Sequence, residues 1–298
     1  MLYYRGNCSG RSGAGSNKER GALVTLIQTI IRPDHIWICT DNRVSINNRF
    51  QNDDHVKYVG ILCPDGTALL SYTGLAELSD GTKMSVWVRS VLRGVNRDVK
   101  STVQAISDFA NKELSTYAPM PPLNFVIAAF IGSQATLYEI TNIASGNNPS
   151  RHFSIQTPLI DKPLYHAAGS GASYITDEER RHLEAIIANG PGSAEDCPNA
   201  LIELNKKVAE KDKERVSASC IVVGMPKTGL PVNVVNGSQN ISDRDVPIVL
   251  FGIDTTEMMR LTGSRLPGGK NHNLPQEDID KIQDQNAIDA VTPRKVNG

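Results

Sequence analysis

The sequence predicts an α+β protein built as a four-layer αββα sandwich, two β-sheets face to face with a pair of helices over each outer side. Three observations point there. Apolar runs with strand character and amphipathic helices follow one another as strands, two helices, strands, two helices, strands. Two packed sheets with helices outside would bury every apolar face in that series. Three polar residues, Thr25, Asp41 and Lys57, stand at the edges of the first strands at equal 16-residue intervals. The order of elements, not the strand pattern, carries the layer arrangement.

Residues 1 to about 23 are rich in Gly, Ser, Asn and Arg. They hold too little apolar surface to offset their ordering entropy, so an unstructured or non-native N-terminal extension is expected there. From residue 24 to 225 the chain reads as one αββα domain. Strands are expected at 25–32, 35–40, 44–50, 55–62 and 67–73, with tight turns at Pro33-Asp34 and Pro64-Asp65-Gly66. Met84, Val88, Val91 and Val95 share one face of a first helix. Val103, Ile106, Phe109, Ala110 and Leu114 share a face of a second, with Ser101 as its N-cap. The Pro-rich stretch 118–122 stops the helices. Strands return at 123–131, 134–141, 152–157 and 164–168. A third helix is expected from Ser170 to Ala188 and a fourth from Cys197 to Lys211, then strands at 217–224 and 231–235.

Residues 226–298 form a C-terminal extension, polar and turn-rich. One strand is expected at 246–252, then a short helix opened by Asp254 and Glu257, with order to about 262 and a loose tail beyond.

Composition narrows the function. A net charge of −1 gives no electrostatic case for nucleic acid or an anionic membrane. No apolar run is long enough to cross a bilayer, and the first twenty residues lack the apolar core of a secretory signal. Five scattered cysteines without a C-x-x-C pair read as free thiols in a reducing compartment. Cytoplasmic residence follows by elimination. The six histidines show no metal-ligand spacing, so zinc is not expected. Trp37 and Trp87 read as core, and the charged run 206–215 as a solvated helix end.

Thr25, Asp41 and Lys57 would place a hydroxyl, a carboxylate and an amine in one polar site within an apolar layer. With Thr25 as the first residue of a mature chain, its own amine is the base beside its own hydroxyl, the N-terminal-threonine form of nucleophilic catalysis. Such chemistry needs no metal and no organic cofactor. The plain alternative is that Asp41 and Lys57 are a structural ion pair. Ser170, in the G-S-G turn, reads equally as a helix cap. The same turn suggests a phosphate loop, but G-x-G-x-x-G needs Gly where Tyr174 stands.

The segment TLIQTIIRPDHIWICTDNRVS resembles the opening of proteasome β-subunits and of the bacterial proteasome-like heat-shock protease. SYTGLAEL (71–78) resembles the family's strand-to-helix turn, and AAGSGASY (167–174) its G-S-G turn. The resemblance runs over roughly residues 24 to 225. It implies the N-terminal nucleophile hydrolase fold, threonine peptidase activity on peptides or unfolded protein, a homo-oligomeric ring or stacked rings, and room for an ATPase partner. Carried across, Thr25 is the nucleophile, Lys57 assists its deprotonation, Asp41 orients Lys57, Gly74 donates to the oxyanion, and Ser170 lies near the Thr25 amine. Glu214 and Ser217 stand where the family carries Asp and Ser, and Tyr72 and Ala76 line the pocket for the residue before the scissile bond. The resemblance also admits a non-catalytic scaffold subunit, or an amidase acting on small acyl-amides.

One departure lies upstream. The family's propeptide usually ends in Gly, whereas Val24 precedes Thr25. A β-branched residue hinders the tight geometry of self-cleavage. Our hypothesis is that translation starts at codon 24, read as Met, and that Met removal exposes Thr25. An intact mass of the native protein that retains residues 1–23 would reject it.

Overall fold

The computed structural model describes residues 25–46, 49–52, 56–118, 120–143, 149–188, 196–228, 233–236 and 247–255. The expectations for residues 1–23 and for the helix and tail after Asp254 lie largely outside them. In chain order the elements are β1 (Ile27–Ile31), β2 (His35–Asp41), β3 (Val44–Ile46), β4 (Arg49–Asn52), β5 (Tyr58–Cys63), β6 (Gly66–Thr73), α1 (Met84–Leu92), α2 (Val99–Glu113), β7 (Asn124–Ile131), β8 (Gln134–Ile143), β9 (Pro149–Gln156), β10 (Leu164–Ala168), α3 (Asp177–Ala188), α4 (Asp196–Lys211), β11 (Cys220–Pro226), β12 (Asn233–Asn236), β13 (Ile248–Leu250) and β14 (Ile253–Asp254). The protein is α+β, with two large sheets and four α-helices among the described residues.

One sheet has the order β10-β1-β2-β11-β12, the other β14-β13-β5-β6-β7-β8-β9; β3 and β4 form a separate hairpin. Within the first sheet every pairing is antiparallel. The turn at Pro33-Asp34 is closed by Arg32 N–H donating to His35 O at 2.8 Å. In the second sheet β13 alone pairs parallel, against β5, with Ile248 opposite Gly60.

Three apolar clusters account for the packing. Trp87 and Val88 of α1 and Val103 and Ile106 of α2 lie with Tyr72 and Phe125 of the seven-stranded sheet. Leu183 of α3 and Leu201 and Val208 of α4 lie with Leu26, Trp37 and Val222 at the five-stranded sheet. The third cluster joins Ile27, Ile31 and Ile38 of the five-stranded sheet to Leu69, Val126 and Phe130 of the other. β1 illustrates the period of two: Leu26 and Ile30 belong to the helix-side cluster, Ile27 and Ile31 to the one shared by both sheets.

Several local expectations need correcting. The N-cap of α2 is Asp98, whose carboxylate accepts from Ser101 N at 2.6 Å; Ser101 lies inside the helix. An acceptor three residues upstream of the amide is the stronger cap signal. α1 stops at Leu92, before Gly94 with φ of +80°, so Val95 is outside it and exposed. The expected strand 44–50 is two short strands, β3 and β4. The third helix starts at Asp177, because residues 170–174 form a separate 3₁₀ turn. Trp37 and Trp87 are buried, and the four described cysteines, Cys39, Cys63, Cys197 and Cys220, are free and buried.

Candidate active site

Thr25 and Leu26 lead directly into β1, and Asp41 is the last residue of β2. The β1–β2 register, Ile27 opposite Thr40, continues to set Leu26 beside Asp41. Asp41 N–H donates to Leu26 O at 3.3 Å, and Leu26 N–H donates back to Asp41 Oδ2 at 2.7 Å. The carboxylate therefore holds the peptide unit that follows Thr25. Its other oxygen accepts from Arg43 N–H at 2.9 Å, an Asx turn two residues on.

Lys57 comes from the other sheet, one residue before β5. Its carbonyl accepts from Ser71 Oγ at 2.8 Å and Tyr72 N–H at 3.3 Å, which fixes the stem of the side chain. Its ammonium reaches Thr25 Oγ1 at 3.0 Å, Asp41 Oδ1 at 3.3 Å and Arg43 O at 2.5 Å. An ammonium has three N–H donors and no acceptor, and these three partners match them. Thr25 and Lys57 are each 3% exposed and Asp41 is fully buried, so water screens the cluster little. Burial pushes the Asp41 carboxyl above the ordinary carboxylate range; the Lys57 ammonium and the Leu26 and Arg43 amides offset part of that rise.

Chemically, Lys57 is arranged as a donor to Thr25 Oγ1. As an ammonium it favours negative charge on that oxygen and, having no acceptor, does not take its proton. A base for Thr25 must come from elsewhere.

The remaining wall is the turn after β6. Tyr72, Thr73, Gly74, Leu75 and Ala76 line, with Thr25, Arg43 and Lys57, a cavity of about 10 Å³, close to the least room a water molecule needs. Gly74 has φ of +105°, and a Cβ there would lie 2.0 Å from Pro122 O. The Tyr72 hydroxyl donates to Val56 O at 2.8 Å, and Ala76 O accepts from Met84 N–H at 2.8 Å, anchoring the turn to α1.

The G-S-G turn closes the opposite flank. Gly169 has φ of +85°, and a Cβ there would sit 2.1 Å from Thr25 O. Gly171 N–H donates to that same carbonyl at 3.4 Å. Ser170 is exposed, and its carbonyl accepts from Ser173 Oγ at 2.8 Å. Glu214 is exposed on the turn after α4. Ser217 is buried, its Oγ accepting from Ser219 N–H at 3.0 Å. Lys57 thus contacts both Thr25 and Asp41, and Tyr72, Gly74 and Ala76 line a cavity with Thr25 and Lys57. Ser170 abuts Thr25 through the backbone of its turn.

Sequence reading gave Arg43 and the amide of Leu26 no role, and Gly169 none beyond its place in the G-S-G turn. Arg43 had a readable signal, its place two residues after an Asp at a strand end. The contact of Gly169 with Thr25 is tertiary and left none. A cleft of about 960 Å³ lies between α3 and α4 and contains none of these residues. Among the described residues no group of three His, Cys, Asp or Glu is placed to hold a metal ion, and no helix is long and apolar enough to cross a membrane.

No protein-family profile matches the chain, and no curated protein matches it in sequence. Solved structures do match. Anbu (ancestral beta-subunit) from Yersinia bercovieri superposes with a TM-score of 0.50 at 10% identity, covering 92% of this chain and 99% of its own. An Anbu (Gly-1) mutant from Hyphomicrobium sp. strain MC1 gives 0.51 at 12% identity, covering 72% of this chain and 89% of its own. The chain has a proteasome-like fold. At such identities the likeness shows the fold alone and carries no residue roles.

Proposed function

We propose that the protein is a threonine-type peptidase of proteasome-like fold, a hydrolase that cleaves amide bonds through an acyl-enzyme on Thr25. One observation carries the reading: a buried ammonium, Lys57 Nζ, lies 3.0 Å from Thr25 Oγ1 and 3.3 Å from Asp41 Oδ1. The four-layer order of the fold belongs to the same proposal, supported by the three apolar clusters.

The α-amine of Thr25, once freed from Val24, takes the hydroxyl proton as Oγ1 bonds to the substrate carbonyl carbon. Lys57 stabilises the charge on Oγ1, and Asp41 keeps Lys57 ionised and oriented. The Gly74 N–H receives the oxyanion; loss of such a donor costs about 3–4 kcal/mol. The protonated amine then gives its proton to the leaving nitrogen, the C–N bond breaks, and an ester on Thr25 remains. Water, deprotonated by the same amine, attacks the ester and restores Thr25. Ser170 lies near the Thr25 amine, Glu214 and Ser217 complete the site, and Tyr72 and Ala76 shape the pocket before the scissile bond. Peptide or unfolded-protein substrates, a homo-oligomeric ring, an ATPase partner and a cytoplasmic setting complete the proposal.

The test joins terminal sequencing of the native protein to labelling with a threonine-directed electrophile. A free Thr25 amine and a label lost in Thr25→Ala are expected, and Lys57→Met should lower peptide hydrolysis about 10²–10³-fold. A Thr25 nitrogen that stays acylated in the native protein overturns it. That outcome would favour the scaffold reading, which the peptide bond from Val24 to Thr25 motivates. Small acyl-amides are the second substrate class; their turnover against peptides separates the two.

A further inference from the structure

Arg43 faces two ways. Its backbone serves the Thr25 cluster, N–H to Asp41 Oδ1 and carbonyl to Lys57 Nζ. Its guanidinium turns away and donates to Lys213 O on the turn after α4. There it enters a second cleft, about 520 Å³, between the C-terminal end of α4 and the strand ends that carry the site. Ala209 and Val216, both buried, contribute apolar surface to it, and Lys206, Lys213 and Glu210 line it with Arg43. Three cations and one carboxylate thus line it, one of the cations, Lys206, also meeting a second carboxylate outside the lining. Glu203 Oε1 accepts from Lys206 Nζ at 3.0 Å, across an exposed pair that water screens.

Lysines at a helix C-terminus also complement the helix dipole. That accounts for neither Arg43, which comes from the end of β2, nor the cleft that separates it from the helix. The cleft has the size of a small-ligand site and meets the one-water cavity at Arg43, the residue both share. We propose that this cleft is a carboxylate-binding subsite. It takes an acidic side chain, or the C-terminal carboxylate, of a peptide whose backbone passes the Thr25 cavity. Arg43, Lys206 and Lys213 are its cations; a planar guanidinium beside flexible ammonium groups suits a carboxylate. Because the Arg43 backbone touches both Asp41 and Lys57, the occupied subsite bears directly on that pair. The inference goes beyond the hydrolytic reading and does not require Thr25 to be a nucleophile.

The experiment uses the full chain carrying Thr25→Ala, so binding is read without turnover. Neutral hexapeptides with Glu or Gln at each position in turn, and with a free or amidated C-terminus, are titrated by fluorescence anisotropy. Glu at one or two adjacent positions, or the free C-terminus, should bind about tenfold more tightly than its neutral counterpart. The difference should shrink as salt rises from about 0.1 M to about 1 M. Lys206→Gln with Lys213→Gln should abolish the difference and leave the affinity of neutral peptides unchanged; exposed Lys213→Gln alone, a change that leaves the fold intact, should lower it. Competition by glutarate would assign the same site to a free dicarboxylate, and its failure against a bound acidic peptide would assign it to peptides. Equal binding of Glu and Gln peptides at every position, no binding by any peptide or by glutarate, or a preference unmoved by the lysine changes overturns the proposal. Hydrolysis of neutral peptides by the chain with Thr25 intact is measured separately, so failure there leaves this result standing.

Discussion

Asp41 does two jobs with one carboxylate. It holds the Leu26 amide next to Thr25 at 2.7 Å, and it accepts from Lys57 Nζ at 3.3 Å. The ion pair with Lys57 needs the ionised form, yet burial raises the pKa of the group. A raised folded-state pKa means that the folded chain holds the proton more tightly than the unfolded one. The stability Asp41 contributes is therefore complete below its unfolded pKa and is lost as pH rises through its folded pKa. Activity should run the other way. It should fall on acidification at a pH above the ordinary carboxylate range, as the carboxyl protonates and the pair with Lys57 is lost. Asp41→Asn should remove that acid limb along with most of the activity, and should flatten the matching pH dependence of the melting temperature. An acid limb unchanged in Asp41→Asn would assign it to another group. The pairing of Asp41 with Lys57 was legible in the sequence, since strand-end positions at equal spacing suffice to suggest it. The roles of Leu26 N–H and Arg43 O were not, because every residue carries those backbone groups and only register assigns them.

At the scale of elements, the turn between β10 and α3 packs its backbone directly against Thr25 O. Gly169 supplies a positive φ and a space that no side chain fits, because a Cβ would stand 2.1 Å from Thr25 O. Gly169→Ala should cost about 1–3 kcal/mol from backbone strain alone. It should also push the Thr25 carbonyl away, so any labelling of Thr25 should drop more than stability does. A thermal melt set beside electrophile labelling checks both; full labelling in a destabilised variant would sever the turn from the site. The periodic elements were readable because apolar spacing is local: 164–168 matches β10 to the residue, and α4 begins one residue before the expected Cys197. Boundaries set by caps and kinks were less so. Val95 fits the apolar period of α1, but the chain leaves the helix at Arg93, whose ψ is 143°. Ser170 and the residues after it are helix-compatible, yet they form a 3₁₀ turn that Ile175, with extended backbone, breaks before Asp177.

Across the whole molecule, Thr25 and Asp41 come from one sheet and Lys57 from the other, so the cluster sits on their seam. Packing of the sheets against each other is then a condition for the site, not only for the core. The seven-stranded sheet also draws on the end of the chain. Asp254, after β13, accepts both oxygens' worth of hydrogen bonds from Arg89 Nη1 at 2.9 Å and a further one from Arg93 at 3.5 Å. Asp254→Ala leaves Arg89, 12% exposed at its side chain, without that carboxylate. The expected loss is about 3 kcal/mol, toward the low end for a broken buried pair. Denaturant melts read the loss, and faster hydrogen exchange of Ile248 and Val249 would locate it. A loss below about 0.5 kcal/mol would mean that apolar contacts alone hold the strand. The sequence marked a strand at 246–252 but not its partner, since nothing local distinguishes a parallel mate roughly 190 residues upstream.

That distance has a consequence during synthesis. β5 leaves the ribosome with one edge complete only when Ile248 has been made, about 10–40 s later at ordinary elongation rates. Through that interval the nascent chain presents the unpaired backbone of Tyr58–Cys63 to whatever is nearby, a template for association with neighbouring polypeptides. Productive yield in cells should therefore depend on chaperone cover more than the stability of the finished molecule would suggest.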